Sequence, residues 1–316
     1  EAGADWLAVA LIQEAKELRE AGLAVPILVL SQPHPEEIKE LKTLKGVRPT
    51  VYTPEGIEAI ASIAPGTPVH LKIETGMNRV GASKRSSVSL ANQIVESGLT
   101  LEGVFTHFAS ADELESSFSE EQSTLFDKVI KELANHGHQP SIVHMANSAA
   151  VVNVSASHRS MIRPGIAIYG AEPSIDLRDR CNQIGLKPTA QLETEVRYIH
   201  EIKSGETVSY GRQWIATDDI LLATLPVGYG DGIPRSWWEK GHVIIRGQKC
   251  PIRGVITMDQ LMVEVNTEVA VGDKAILFGE QEGQVITAGE IAEATKTISY
   301  EILTNISKRV PRFYED

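Results

Sequence analysis

Cysteine is nearly absent from this chain of 316 residues. Cys181 and Cys250 are too few for a disulfide framework, and neither has neighbours at metal-ligand spacing. A reducing, cytoplasmic setting with no bound metal is therefore expected. No apolar run approaches the roughly 18 residues that a membrane span requires, and residues 1–30 lack a basic n-region followed by a cleavage site. Basic charge is in deficit: 30 Lys and Arg against 42 Asp and Glu give a formal net charge of −12. That balance argues against a polyanion binder, so neither nucleic acid nor membrane is an expected partner. No low-complexity linker is visible either, so the domains should pack closely.

What is present is an apolar fraction of 42%, ordinary for a globular protein, and length enough for two sizeable cores. Short β-rich apolar runs recur through the first 170 residues: Trp6–Ala10, Pro26–Leu30, Arg48–Tyr52, Val69–Glu74, Leu101–His107, Ile142–Ala146 and Gly165–Tyr169. Segments with helical periodicity lie between most of them, at Leu11–Ala21, Glu36–Leu44, Pro54–Ile63, Ser86–Ser97 and Glu120–Asn135. Alternating strand and helix predicts parallel strands joined by right-handed crossovers. Seven strands are one short of a closed (β/α)8 TIM-type barrel. Because the chain opens on Glu1 in what reads as a helix end, the expectation is a barrel whose first strand is missing.

After about residue 180 the texture becomes alternating runs with turn signals: Thr194–Ile202, Ile220–Pro226, His242–Ile245, Gly254–Ile256, Leu261–Val265 and Ala275–Phe278. Two short helices are predicted near the end, at Ala288–Ala294 and Ser299–Ile306. The predicted organisation is a barrel domain over 1–183 and a mostly-β domain over 184–316.

Polar residues cluster where the barrel strands end, and that rim is where barrels carry chemistry. Lys72, Glu74 and Arg79 follow the fourth run, His107 closes the fifth, Asn147 and Ser148 follow the sixth, and Arg163 precedes the seventh. Arg163 carries a permanent charge beside a buried strand and needs a partner or ligand. Lys72 points into the barrel and should be partnered or chemically modified. Asn147-Ser148 suits an anion grip, or simply a helix N-cap. His107, between Phe105 and Phe108, is equally readable as a core histidine. In the second domain Val208–Gly211, Gly228–Gly232 and Met258–Gln260 read as hairpin-like turns, two of them carrying a tyrosine.

Taken together, Lys72–Gly81 (KIETGMNRVG), Gly103–Asp112 (GVFTHFASAD), His144–Ala149 (HMANSA) and Met161–Gly170 (MIRPGIAIYG) resemble segments of the alanine racemase family. Val208–Gly211, Gly228–Gly232, Met258–Gln260, Ser299–Glu301 and Arg309–Arg312 extend the resemblance through the second domain. It implies a pyridoxal 5'-phosphate enzyme, a barrel followed by a β domain, that interconverts L- and D-alanine by a two-base route and supplies D-alanine for the cell wall. Arg163 would face the pyridine nitrogen and keep it unprotonated, which favours return of the proton to Cα. His107 would stack on the ring. Ser148, Gly165, Ile166 and Tyr300 would hold the phosphate, with Asn147 nearby.

Tyr210 would be one catalytic base, its phenol lowered from about 10 by His107 and Arg163. In the family that tyrosine comes from a partner subunit, so a homodimer is implied. Arg79 would bind the substrate carboxylate, helped by the backbone at Met258. Lys72 matches a position that can be carbamylated and would orient Arg79. Tyr229, Asp112 and Arg235 would line the access corridor. The sequence departs from the family in one respect: nothing here resembles the first-strand segment that carries the Schiff-base lysine and other base. The alternative expectation is thus a cofactor-binding chain without turnover.

Overall fold

The computed structural model describes residues 3–315. They fall into two compact units that divide between Pro164 and Gly165. In the first, seven strands pair in chain order, all parallel: β1 (Leu7–Val9), β2 (Ile27–Val29), β3 (Val47–Val51), β4 (Pro68–Lys72), β5 (Thr100–Phe105), β6 (Ile142–Asn147) and β7 (Met161–Arg163). The result is a nearly closed barrel with helices α1 (Ile12–Glu20), α2 (Pro54–Ile63), α3 (Ser87–Glu96) and α4 (Ser117–Asn135) as crossovers. Sequence chemistry sets their ends. Thr53 accepts from Gly56 N to cap α2, with Pro54 in the first turn, where a missing N–H costs nothing. Ser116 caps α4, whose buried Ser119, Gln122, Phe126, Val129 and Leu133 recur at three- and four-residue spacing, the period of one buried helix face. Asn147 caps the short α5 (Ser148–Asn153) through a 3.0 Å bond from Ala150 N.

Two of the elements expected before residue 170 differ. The apolar run Gly165–Tyr169 is not a strand: the last barrel strand is Met161–Arg163, and Ile166–Tyr169 winds as a 3-10 turn. Pro164 removes the N–H a ladder would use, and Gly170 ends the turn at φ +70 with its Cα against the Lys187 carbonyl. Only a residue without Cβ fits there. Residues 36–44 form only a 3-10 turn, Ile38–Lys42.

The second unit carries α6 (Arg178–Gln183), then strands β8 (Leu192–Glu195), β9 (Tyr198–Ile202), β10 (Thr207–Val208), β11 (Trp214–Ile215), β12 (Ile220–Leu225), β13 (His242–Ile245), β14 (Gln248–Pro251), β15 (Leu261–Val265), β16 (Lys274–Gln281) and β17 (Gln284–Ile286). They form antiparallel sheets, β15-β12-β9 and β14-β13-β16-β17 with β8 on β16, plus the β10-β11 ribbon. Helices α7 (Ala288–Thr295) and α8 (Ser299–Thr304) follow. The expected run 194–202 is broken by Val196, whose N–H turns to Asp273 O. No strand forms at 254–256, because Gly254 sits at φ +73 against Val208 O. The core joins alternate residues of these strands, such as Ala223, Leu225, Val263 and Ile276, to Ile291 and Ile302 of the helices.

Candidate active site

At the ends of β4 to β7 the first unit gathers three cations around one histidine. Arg163 is fixed by what its neighbours can accept. Its Nη2 donates to the carbonyls of Thr106 at 2.8 Å and Met145 at 3.1 Å, and its Nη1 donates to His144 Nδ1 at 2.8 Å. Both Nη2 hydrogens are thereby committed, so the 3.4 Å approach to His107 Nδ1 is a contact and not a third bond. Of five guanidinium N–H groups, one on Nη1 and the one on Nε have no hydrogen-bond partner among the described residues. Burial lowers Arg163 to about 10, still far above neutrality, so it stays charged. The Phe105 ring lies 5.2 Å below the guanidinium carbon and stacks on His144 at 4.6 Å and 10°.

His107 follows β5. Burial, then the charges of Arg163, Arg79 and Lys72, push its ring down to about 3, so it is neutral at pH 7. Its Nε2 faces the Asn147 amide at 3.5 Å. Helix α4 holds this corner through the buried Gln122, whose Nε2 donates to His107 O at 3.0 Å and Thr75 Oγ1 at 3.1 Å while its Oε1 accepts from Ala109 N at 3.0 Å.

Lys72 ends β4, 6% exposed. Burial and then Arg79 and Arg163 lower it to about 8. No salt bridge reaches it among the described residues, and its Nζ lies 5.6 Å from the Phe105 ring. After Lys72 the chain makes a tight excursion and returns: Ala82 N donates to Lys72 O and Glu74 N to Ala82 O, both at 2.8 Å. Gly76 at φ +139 and Gly81 at φ +147 permit it, and a Cβ at Gly76 would meet the Phe118 ring. This loop carries the exposed Arg79 close enough to act electrostatically on both Lys72 and His107.

Ser148 is buried at the start of α5. Asp112 lies on the segment after His107, which Asn153 Nδ2 braces through the carbonyls of Ala111 at 3.0 Å and Glu113 at 2.7 Å.

The remaining expected site residues belong to the second unit. Gly165 and Ile166 open its first 3-10 turn. Tyr210 is 72% exposed on a turn in which Ser209, Gly211 and Arg212 all have positive φ. Non-glycine residues there store strain of order 1–3 kcal/mol each. Ser209 Oγ offsets part of it by donating to Val255 O at 2.5 Å. Tyr229 and Met258 are brought together: Tyr229 N donates to Thr257 O at 3.0 Å and Gly230 N to Met258 O at 2.9 Å. Arg309 clamps this pair of turns through Asp231 at 2.7 and 3.0 Å and Asp259 at 2.9 Å. The exposed Arg235 begins a 3-10 turn and Tyr300 is the second residue of α8.

Sequence reasoning assigned no role to His70, Glu102, His144 or Gln122. His144 lay inside a quoted motif. Gln122 was legible as a polar residue at a core-facing position of α4.

A barrel interior that ends in a pinned guanidinium, a neutral histidine and two further cations concentrates positive charge at the strand ends, a setting suited to an anion. The sequence comparisons make the class specific. Residues 1–173 match the family described as alanine racemase, N-terminal domain, and residues 189–314 its C-terminal domain. The chain is 42% identical to alanine racemase of Halothermothrix orenii, covering all of this chain and 84% of that protein, and 39% identical to that of Symbiobacterium thermophilum, with 99% and 84% covered. The fold superposes on alanine racemase from E. faecalis with a TM-score of 0.91 at 34% identity, covering 99% of this chain and 84% of that one. For the Bacillus anthracis enzyme the TM-score is 0.90 at 36% identity, with 100% and 82% covered. The chain belongs to the alanine racemase family.

Proposed function

We propose that this protein is an amino-acid racemase that interconverts L- and D-alanine with pyridoxal 5'-phosphate, in the cytoplasm, supplying D-alanine to the cell wall. The observation that carries the reading is Arg163: a guanidinium fixed by three acceptors, with two N–H groups left over, suits an unprotonated pyridine nitrogen. The surrounding donor set fits the rest of the cofactor. Lys72, Arg79 and Arg163 repel one another, and a phosphate and a substrate carboxylate would relieve that repulsion.

When bound, the cofactor supplies electron withdrawal that makes the alanine Cα–H acidic. The chain's own residues then decide the outcome. Arg163 would donate to the ring nitrogen without protonating it, which would limit delocalisation and favour return of the proton to Cα. His107, kept neutral, would lie on the ring face and add no competing charge. By the family resemblance, Ser148, Asn147, Gly165, Ile166 and Tyr300 would hold the phosphate, and Arg79, with the backbone at Met258, the substrate carboxylate. Lys72 is nucleophilic near pH 8, so carbamylation by carbon dioxide would turn its charge negative and let it orient Arg79.

Tyr210 moves the proton on one face of Cα. A general base works in a water-poor site, yet Tyr210 is largely exposed in this chain. That exposure supports a homodimer with shared sites, in which a second copy would cover Tyr210, and Tyr229, Asp112 and Arg235 would line the access route. The comparisons give no support to the alternative of a cofactor-binding chain without turnover.

The test is racemisation of each alanine enantiomer with added cofactor, followed by circular dichroism, with Cα–H exchange in deuterated water. Tyr210→Phe should slow exchange from one enantiomer by at least tenfold more than from the other. Equal effects on both would remove Tyr210 from that role. Reversible cofactor binding with no racemisation and no borohydride-trapped lysine adduct would favour the alternative.

A further inference from the structure

Below Arg163 the barrel interior holds a line of ionisable groups outside the chemistry described above. His144 Nδ1 lies 2.8 Å from Arg163 Nη1, and His144 Nε2 lies 2.9 Å from His70 Nδ1. His70 Nε2 faces Glu102 Oε2 at 3.5 Å, and Glu102 also takes Arg48 Nε at 2.9 Å and Nη2 at 3.3 Å. Both imidazoles are fully buried. The line crosses β3, β4, β5, β6 and β7 from the barrel interior to its rim.

Proton positions along it are not free. A guanidinium has no acceptor lone pair, so His144 Nδ1 must accept. A neutral imidazole with a bare Nδ1 carries its proton on Nε2 and donates to His70 Nδ1. His70 is then bare at Nδ1 and protonated at Nε2, the nitrogen that faces Glu102. Starting from the other end gives the same answer, since a carboxylate only accepts. At 3.5 Å the last link is a long charge–dipole contact, weaker than the bonds above it. His70 Nε2 has no hydrogen-bond partner among the described residues, and Glu102 is the carboxylate it faces. Burial favours neutral rings throughout: it lowers His70, and with Arg163 and His70 holds His144 well below the ordinary range. Two packing choices fix the geometry. Phe105 stacks flat on His144, and Gly103 leaves room for His70, whose ring occupies the place a Cβ would take.

The geometry points to Glu102 and His70 as positioning residues: the carboxylate and the guanidinium select the same tautomer in His70 and His144 from opposite ends of the line, and that agreement holds Arg163 in a single donor orientation. Its consequence for catalysis rests on the cofactor reading above, whereas the tautomers themselves do not.

The experiment is ring-nitrogen 15N spectroscopy of histidine-labelled protein, without added cofactor, with signals assigned through His70→Gln and His144→Gln. In the wild type both residues should show a protonated Nε2 and a bare Nδ1. Glu102→Gln, whose amide can donate to His70 Nε2 as well as accept, should introduce an Nδ1-protonated population in which Arg163 Nη1 gives up its bond to His144. Glu102→Asp, which keeps the charge, should not. With cofactor and alanine, Glu102→Gln should lower kcat on the order of tenfold, with KM less affected, the scale seen when a partner behind a metal-bound histidine is removed. Nδ1–H on either ring of the wild type, or wild-type tautomers in Glu102→Gln, would overturn the proposal. The wild-type spectrum decides the matter even if the variant does not fold. A wild type with the stated tautomers but no cofactor binding would instead count against the racemase reading and leave this one standing.

Discussion

Acid should destabilise the barrel unit steeply, and the slope can be worked from two histidines. His107 is pushed to about 3 and His144 well below its ordinary range, whereas both titrate near 6.5 when unfolded. The unfolded chain therefore binds about two protons that the folded chain does not once pH falls below 6.5. A group buried neutral contributes stability that is fully present above its unfolded value and is lost as pH falls towards its folded value. For His107 this corresponds to about 1.4 kcal/mol per pH unit near pH 5. His107 keeps some exposure, which reduces its share, so its part of the loss between pH 6.5 and 4.5 should be ~2 kcal/mol. His144 adds to the loss in the same direction. His70 acts in the same direction. Glu102, held at about 2 by His70 and Arg48, is depressed instead, so its contribution is lost only below about 4.5. Urea unfolding followed by far-ultraviolet circular dichroism at half-unit pH steps measures the slope. His107→Gln should reduce it by about one proton. A wild-type slope below one proton between pH 5.5 and 4.5 would refute the reasoning.

Gly103→Ala should cost ~1–3 kcal/mol by forcing the His70 ring from its seat, read as a lower thermal midpoint, with His70→Ala in the same chain recovering part of the loss. Gln122→Ala should cost ~1–3 kcal/mol, since it leaves the buried Thr75 hydroxyl and the backbone of His107 and Ala109 short of partners; hydrogen exchange at Ala109 should rise. Gly170→Ala should be worse tolerated than Gly66→Ala, because a Cβ at Gly170 meets backbone at Lys187 and Pro188 while Gly66 faces open space. Denaturation midpoints of the two variants give the comparison.

Much of the barrel was legible because its strands alternate with helices of clear period. Pro54–Ile63 matched the predicted bounds, and α3 differed by one residue at each end. The misreading at Gly165–Tyr169 has a local cause: apolarity alone does not distinguish a strand from a buried 3-10 turn, and Pro164 and Gly170 outweighed it. The polar rim was legible in chain order, since Lys72, His107, Asn147 and Arg163 each stand at a strand end. The line beneath it was not. His70 and His144 sit in strands β4 and β6, and their contact joins residues 74 apart in sequence. Gln122 was hidden for another reason: its partners are backbone groups, which carry no residue signature.

The three rim cations stand in a molecule whose formal net charge is −12. Beyond a Debye length, about 8 Å at physiological ionic strength, the charges of the protein are largely screened from an approaching anion. Inside that distance it meets Lys72, Arg79 and Arg163. Selection by charge is thus a short-range affair here: only a ligand small enough to reach the strand ends comes under the influence of a field opposite in sign to the net charge.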